Sequence, residues 1–303
     1  MNEIELKKLE KNDKSIFDEF YSKDYFESSK HNFTNFYMWR DRYNIYWTLE
    51  DDILFIFSLS DKSIKVWQPV CSSEKRREAV EKVLRHKKDC SKNKKFMFFS
   101  LEKFFVDELK KIPDLKIEID FNRDTSDYVY LAEDLINLKG RKYHSKKNHL
   151  NRFYELYPNA EYLPISADII EQCRIASNHW YEIASDENPH SWLLSHEKQA
   201  ICEIFDDFDF FKLKGGAYLV DGKVAAFTFG EKLNSDTAVI HVEKADPEIR
   251  GAYPAINQGF VANEWSQIKF INREEDLGLE GLRKAKESYK PIKMIEKFNA
   301  VIK

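Results

Sequence analysis

Residues 210–243, FFKLKGGAYLVDGKVAAFTFGEKLNSDTAVIHVE, decide the fold of this chain. Three apolar segments follow one another closely in this stretch, and short polar connections separate them. The pair Asp221-Gly222 between the first two segments favours a tight hairpin turn. The stretch therefore predicts a meander of three strands, at about 210–220, 223–232 and 237–243.

The segments on both sides of the meander predict the rest of a mixed α/β domain. Three helices are expected before it, at 141–155, 167–184 and 194–207. After Gly251 the expected order is a helix to about Trp265, a strand at 269–271, a helix at 279–289 and a strand at 294–302. Strands and helices also alternate through the first part of the chain, which again indicates an α/β or α+β fold.

Two observations predict a boundary between about 120 and 135. All nine glycines lie at or beyond Gly140, so a site built on backbone amides is expected in the second half. A short internal sequence similarity also relates Phe121-Asn122-Arg123-Asp124 to Ile271-Asn272-Arg273-Glu274, and each segment follows an expected strand. We predict an N-terminal domain over 1–125, without catalytic residues, and a C-terminal domain over 126–303 that carries the site.

Composition excludes several classes of protein. The chain has 303 residues, of which 43% are hydrophobic and 33% charged, so it can bury a core and is not a disordered chain. The longest apolar run, Ile53 to Phe57, is far shorter than the ~20 residues of a membrane-spanning helix. The N-terminus lacks the pattern of a signal peptide, which predicts a cytoplasmic location.

Several strings resemble one bacterial family. They are Ser126 to Tyr130, Leu138 to His144, Ile240 to Ala245 and, above all, Asn272 to Tyr289. The chain resembles a family with tandem GNAT-like domains that is related to the C-terminal domain of phosphatidylglycerol lysyltransferases and, more distantly, to Fem-type aminoacyltransferases. The resemblance implies two GNAT-like domains, each with a mixed sheet flanked by helices, and an acyl- or aminoacyltransferase activity.

The donor of such a transferase is constrained by the turn at Gly251-Ala252-Tyr253. GNAT domains bind the pyrophosphate of acyl-CoA on a Gly-rich turn that opens a helix. Here only Gly251 matches that pattern, and Tyr253 would crowd the pyrophosphate. The sequence therefore argues against acyl-CoA as a cofactor. The relatives use aminoacyl-tRNA, which is the alternative donor that the resemblance implies.

Candidate catalytic residues lie on the last strand of the meander and on the last helix. His241 and Glu243 are two residues apart, so they share one face of a strand, and either group could take a proton from an acceptor. Tyr289 resembles the GNAT general acid that protonates the leaving group. The alternative interpretation is a hydrogen-bonded His-Glu pair and a packed tyrosine without a catalytic part.

Candidate substrate-binding residues follow the strand at 269–271. A loop after a strand is where such sheets place ligand contacts, and an arginine there can hold a carboxylate or phosphate. We expect one pocket, in which at least one carboxylate of Glu243, Glu274 and Asp276 has a raised pKa because like charges lie close together there. The residues assigned to substrate are Gly251, Tyr253, Asn272, Arg273, Glu274, Asp276, Arg283 and Lys286.

Residues 139–152 hold six basic residues and no acid. Such a segment can contact the phosphates of tRNA or an anionic lipid surface, although a solvated helix face is the common alternative. Within it we assign polyanion contacts to Arg141, Lys142, Lys146 and Lys147. No metal site is expected, since His196-Glu197-Lys198-Gln199-Ala200 lacks the second histidine of a zinc helix.

Two functions remain open at this point. The first is an acyl- or aminoacyltransferase that acts on a small amine or hydroxyl acceptor. The second is a catalytically inactive GNAT-like protein that binds a ligand on the same scaffold, because a fold alone does not specify a reaction.

Overall fold

The computed structural model describes residues 5–90, 94–185 and 191–303. Contacts divide the chain into two compact units. The first unit comprises Met1–Ser126 together with Ile295–Lys303, and the second comprises Asp127–Met294. None of the described helices is long and apolar enough to cross a membrane.

The first unit is a seven-stranded mixed sheet with helices packed on it. Its core is rich in phenylalanine, including Phe55, Phe98 and Phe105, none of which is exposed. Its elements are β1 (Lys7–Lys8), α1 (Lys14–Tyr21), α2 (Phe33–Tyr43), β2 (Ile45–Glu50), β3 (Ile53–Leu59), β4 (Ser63–Trp67), α3 (Arg76–Cys90), β5 (Lys95–Leu101), α4 (Lys103–Lys110) and β6 (Ile117–Phe121).

The second unit is also a seven-stranded mixed sheet, and two core clusters fill the space between it and its helices. Its elements are β7 (Asp127–Leu131), α5 (Ala132–Asn137), α6 (His144–Leu156), β8 (Glu161–Pro164), α7 (Ala167–Ser185), α8 (Ser191–Asp206), α9 (Phe208–Phe211), β9 (Lys214–Val220), β10 (Lys223–Lys232), β11 (Thr237–Ala245), α10 (Ala252–Glu264), β12 (Phe270–Asn272), α11 (Glu280–Glu287) and β13 (Lys293–Ile295). The last strand of the chain is β14 (Phe298–Ile302).

The mixed α/β fold with two sheets flanked by helices is confirmed. The predicted meander corresponds to β9, β10 and β11, which pair antiparallel, with the hairpin at Asp221-Gly222. The second sheet has the order β8-β9-β10-β11-β12-β7-β13, and the first has the matching order β1-β2-β3-β4-β5-β14-β6. In each sheet one pair is parallel across a helix, β4 with β5 and β11 with β12.

The matching orders show a strand exchange between the two halves of the sequence. Strand β7 follows β6 in the chain but lies between β12 and β13 in the second sheet. Strand β14 follows β13 but lies between β5 and β6, where it pairs antiparallel with both. Strand β14, from the C-terminal end of the sequence, therefore completes the first sheet, whereas β7, which directly follows β6, takes the matching place in the second sheet.

This exchange corrects three expectations from the sequence. The C-terminal domain was expected to run to residue 303, but residues 295–303 belong to the first unit. The expected strand 294–302 is two strands in two sheets. The sequence similarity between the segments at Phe121 and Ile271 does not relate equivalent positions either. Phe121 ends β6, whose counterpart in the second sheet is β13. Ile271 lies in β12, whose counterpart in the first sheet is β5.

We predict that Ala300→Asp destabilises the first unit. Ala300 is fully buried in β14, so a carboxylate there should cost about 3 kcal/mol or more of unfolding free energy. Hydrogen exchange should rise in β5 and β6 and stay unchanged in β11. Lys62→Asp, at an exposed position in the connection between β3 and β4 of the same unit, is the matched control. Faster exchange confined to the second unit would contradict the strand assignment.

Candidate functional site

The candidate site lies where β11 and β12 part. The two strands pair only from Thr237 with Phe270 to Val239 with Asn272. Beyond that point β11 continues to Ala245, whereas the chain after Asn272 turns into a loop. Side chains at the end of β11 and in this loop therefore face each other across an opening that no strand fills.

A bulge in β11 sets the direction of His241. The pairing with β10 shifts between Phe229 opposite Val242 and Gly230 opposite Ile240, which leaves His241 as the extra residue. The strands approach so closely there that a Cβ at position 230 would lie 2.1 Å from the Val239 carbonyl oxygen. Only glycine allows this approach, so Gly230 is part of the site's scaffold.

His241 bridges two carboxylates. Its Nε2 lies 3.0 Å from Glu231 Oε1 and its Nδ1 lies 2.9 Å from Glu274 Oε1. Burial lowers the pKa of His241, but the hydrogen bonds to Glu231 and Glu274 outweigh this effect and raise the pKa to about 9. At neutral pH the ring is therefore an imidazolium with both nitrogens engaged. This arrangement is unsuited to a general base and ties β10, β11 and the following loop together.

Glu243 is held by two side chains. Arg273 Nη2 donates to Glu243 Oε1 at 2.7 Å, and Asn257 Nδ2 donates to Glu243 Oε2 at 2.9 Å. Asn257 lies on α10, and sequence reasoning missed it. The sequence offers one signal for Asn257, which is a polar residue among apolar residues on the same helix face. In the structure Asn257 is fully buried.

Two polar atoms of this cluster have no hydrogen-bond partner. They are Arg273 Nη1 and Asn257 Oδ1, and both are buried. Buried polar groups are normally hydrogen-bonded, so an unpaired donor and an unpaired acceptor beside one carboxylate require an explanation. A bound ligand with both an acceptor and a donor would satisfy them.

Aromatic rings and a lysine complete the cluster. The Arg273 guanidinium lies 4.9 Å from the ring centroid of Tyr289 and 5.7 Å from that of Tyr130. Lys146 Nζ lies 4.4 Å from the Tyr289 ring, and no carboxylate oxygen of the described residues is within ion-pair distance of it. Burial raises the pKa of Tyr289, so its hydroxyl stays protonated and can donate a proton. The structure brings together Glu243, Arg273, Tyr289 and Lys146 from the predicted set.

Other residues assigned to substrate are engaged within the protein. Asn272 donates to Asp127 Oδ2 at 3.1 Å and accepts from the Glu274 amide at 2.8 Å. Asp276 accepts from Tyr128 Oη at 2.5 Å and from Arg283 Nε at 2.8 Å. These contacts fix the loop rather than present groups to a ligand, which corrects the prediction for Asn272, Asp276 and Arg283.

Asp276 is not the carboxylate of raised pKa that was expected among Glu243, Glu274 and Asp276. Burial alone would raise its pKa, but hydrogen bonds from Arg283, Tyr128 and the Gly278 amide outweigh burial and hold the pKa well below its usual range. Asp276 is therefore ionised at neutral pH.

Lys286 is also engaged inside the loop. Its Nζ donates to the carbonyl oxygens of Arg273 at 2.5 Å, Glu274 at 3.1 Å and Glu275 at 2.6 Å. The residue is 7% exposed, so the predicted contact of Lys286 with substrate is incorrect.

The turn at Gly251 is covered by α6. A Cβ at Gly251 would lie 2.6 Å from the His149 carbonyl oxygen and 2.9 Å from Phe153 Cβ, and the φ of Gly251 is +86°. The backbone of α6 therefore occupies the approach to the N-terminus of α10. Tyr253 follows on α10, where its side chain is exposed.

The basic segment 139–152 divides into two groups. Lys142 pairs with Asp134 at 3.1 Å and Arg152 with Glu155 at 3.1 Å, whereas Lys146 joins the candidate site. Arg141 and Lys147 are exposed. In the described part of the chain, no group of three or more His, Cys, Asp or Glu residues is arranged to hold a metal ion.

We predict that the stabilising effect of His241 is lost at alkaline pH. Because the pKa is raised in the folded state, protonation of His241 stabilises the protein fully below pH 6.5, and this stabilisation declines as pH passes through about 9. The difference in unfolding free energy between wild type and His241→Gln should fall by about 2–3 kcal/mol from pH 6 to pH 9.5. Urea unfolding at several pH values measures it. A constant difference would contradict the bridging imidazolium.

Comparison with solved structures supports the fold. A conserved protein of unknown function from Bacteroides thetaiotaomicron is 32% identical, with a TM-score of 0.90 over 99% of this chain and 100% of that chain. The C-terminal domain of a putative lysylphosphatidylglycerol synthetase from Agrobacterium fabrum is 12% identical, with a TM-score of 0.69 over 96% of this chain and 91% of that chain. The L-PGS of Bacillus licheniformis is 12% identical, with a TM-score of 0.67 over 95% and 91%.

Sequence comparison gives the same relationship. An uncharacterized protein of Mycoplasmoides gallisepticum is 23% identical over 205 residues, which are 66% of this chain and 65% of that protein's own length. The family described as phosphatidylglycerol lysyltransferase, C-terminal, matches residues 24–301. With this match over nearly its whole length, the chain belongs to the phosphatidylglycerol lysyltransferase C-terminal family.

Proposed function

We propose that the second unit is a GNAT-type transferase that moves an aminoacyl group from tRNA to a hydroxyl or amine acceptor. The family name points to phosphatidylglycerol as the first acceptor to test. The observation that carries the proposal is the cluster around Glu243, in which Arg273 Nη1 and Asn257 Oδ1 are buried without partners.

The unpaired atoms match the chemistry of an aminoacyl ester. The ester carbonyl is an acceptor, and Arg273 Nη1 is positioned to donate to it and to stabilise the oxyanion that develops during transfer. The α-amino group is a donor, and Asn257 Oδ1 can accept from it. One ligand with these two groups side by side satisfies both atoms.

The proton balance of the reaction assigns the remaining roles. The ester bond to the tRNA ribose breaks as the bond to the acceptor oxygen or nitrogen forms. Glu243 takes the proton that the acceptor loses, once substrate binding displaces one of its two present partners. Tyr289 gives a proton to the ribose oxygen that leaves, since its hydroxyl is protonated in the buried site.

Acyl-CoA does not fit this proposal as a donor. The N-terminus of α10, where GNAT domains bind pyrophosphate, has the His149 carbonyl and Phe153 packed against Gly251. A carbonyl oxygen near this helix N-terminus is unfavourable for a bound anion, which argues against acyl-CoA as the donor.

The exposed part of the segment 139–152 supports a polyanionic partner. Arg141 and Lys147 are exposed, and Lys146 of the same segment reaches the candidate site. A tRNA whose phosphates contact Arg141 and Lys147 would lie on the segment that also carries Lys146 of the candidate site. An anionic lipid surface is the second partner that this charge favours.

A ligand-binding protein without catalytic activity is the alternative. It is favoured by one observation, namely that both carboxylate oxygens of Glu243 already accept hydrogen bonds. Unless one of these bonds opens, Glu243 cannot accept a proton from a substrate.

A transfer assay separates the two functions. The protein is incubated with tRNA charged with radiolabelled amino acids and with phosphatidylglycerol vesicles, and label is measured in the lipid extract. Thermal unfolding is followed in parallel with charged tRNA, uncharged tRNA and CoA. Transfer together with stabilisation by charged tRNA supports the transferase. Stabilisation without transfer to any lipid, amine or hydroxyl acceptor supports the alternative, and stabilisation by CoA contradicts the proposed donor.

We predict that Arg273→Lys and Glu243→Gln each lower the rate of transfer by about 100-fold or more, because an oxyanion donor or a proton acceptor is lost. The measured quantity is kcat/KM for charged tRNA. Glu248→Gln, which removes an exposed carboxylate on the loop before Gly251, is the control and should leave kcat/KM unchanged.

We predict that Tyr289→Phe lowers kcat by about 10- to 100-fold with little change in KM, because it removes a proton donor that acts on the leaving group and leaves the ring in place. Tyr157→Phe on the same unit serves as the control. An unchanged kcat for Tyr289→Phe would remove Tyr289 from the mechanism.

A further inference from the structure

Lys286 is a buried cation in a shell made of backbone carbonyls. Its ammonium group donates to three consecutive carbonyl oxygens, those of Arg273, Glu274 and Glu275, at 2.5, 3.1 and 2.6 Å. An ammonium group has three hydrogens, so all its donors are used. The residue is 7% exposed, and no position around it is left for a ligand.

The three carbonyls depend on this lysine. They belong to the loop that leaves β12, where Glu274 adopts φ +56°, a left-handed conformation that is unfavourable for a residue with a side chain. The Glu274 carbonyl also accepts from the Tyr128 amide at 3.2 Å, but loss of the ammonium group would remove one donor from each of the three carbonyls. The conformation of residues 273–275 is therefore maintained by Lys286.

The position of Arg273 follows from that conformation. Its amide donates to the Tyr128 carbonyl at 2.9 Å and its carbonyl accepts from Lys286, so both ends of the residue are fixed. The guanidinium then reaches Glu243, with Nη1 left unpaired. A shift of the backbone by a fraction of an ångström would move Nη1 away from the position it needs for catalysis.

We propose that Lys286 is a positioning residue that holds the Arg273 guanidinium in place for a ligand, and that deprotonation of Lys286 frees this guanidinium to move. The inference rests on the proposed function only where activity is measured. Lys286 itself touches no substrate in this arrangement.

The surroundings of Lys286 make its charge sensitive to pH. Burial and the positive charge of Arg273 lower the pKa of Lys286 to about 8, while Glu274, Glu275 and Asp127 act in the opposite direction. The Tyr128 ring lies 5.7 Å from Nζ, and Tyr130 Oη donates to the Lys286 carbonyl. A neutral amine has two hydrogens for three carbonyls, so deprotonation frees one carbonyl of the loop.

The test follows the Arg273 side chain directly. The full chain is labelled with arginine carrying ¹³C at the guanidinium carbon, and Arg273→Lys identifies its resonance. In wild type this resonance should shift with a midpoint near pH 8, which is distinct from any shift near pH 9 that follows His241, whose ring contacts Glu274 of the same loop. The shift should be absent in Lys286→Met and in Lys286→Arg, whose guanidinium does not titrate in this range.

Lys284→Met is the matched control. Lys284 lies on the same helix, its side chain is 73% exposed, and it pairs with Glu280 one turn away, so the Arg273 resonance should titrate as in wild type. A flat Arg273 resonance in wild type would overturn the inference, as would titration with a midpoint near pH 8 that persists in Lys286→Met. If Lys286→Met does not fold, the comparison of wild type with Lys286→Arg tests the inference in the same way.

Activity separates this inference from the proposed function. If transfer is observed, Lys286→Met should lower kcat by about tenfold or more and abolish the change in rate near pH 8, with Lys286→Arg recovering part of the loss. If no transfer is observed with any acceptor, the proposed function fails while the resonance still tests the positioning. If transfer is observed and the resonance does not titrate, only the positioning fails.

Discussion

The separation of β11 from β12 is the constraint on which the second unit depends. Two parallel strands that part leave backbone groups without partners at their carboxyl ends, and such groups must be satisfied elsewhere. This protein uses side chains for that purpose. Lys286 serves the carbonyls after β12, Asn272 serves the Glu274 amide, and His241 joins β11 to the same loop. Arg273 is then the charged group of the loop whose guanidinium retains an unpaired nitrogen.

Charged residues near the opening thus fall into two groups. Most form closed pairs, such as Asp276 with Arg283 and His241 with Glu231 and Glu274. In a buried setting these pairs are costly to break, so they make a rigid frame. Arg273 and Lys146 differ, because one has an unpaired nitrogen and the other faces an aromatic ring. The frame holds these two residues where a ligand can meet them.

The sequence predicted the meander and the helices of the second unit well, because apolar segments and the Asp221-Gly222 turn are local signals. It could not show the exchange of strands, since β14 pairs with β5 and β6 through contacts nearly two hundred residues apart. The site was predicted in part. Glu243, Arg273 and Tyr289 do lie together. Burial of a charged side chain depends on tertiary structure, so the sequence alone led to the prediction that Lys286 and Asp276 contact a ligand. Asn257 lies on a largely apolar helix face and belongs to no sequence motif, so it was not predicted.

The exchanged strands also determine when each half of the molecule can be finished during synthesis. Strand β7 is made before the second sheet and is available when that sheet forms. Strand β14 is synthesised after residues 127–294, so β5 and β6 gain their shared neighbour only after the second unit has been made. The first unit, although its synthesis begins first, therefore completes its sheet after that point. Until then the edges of β5 and β6 that face β14 have no partner strand, and unpaired strand edges favour aggregation.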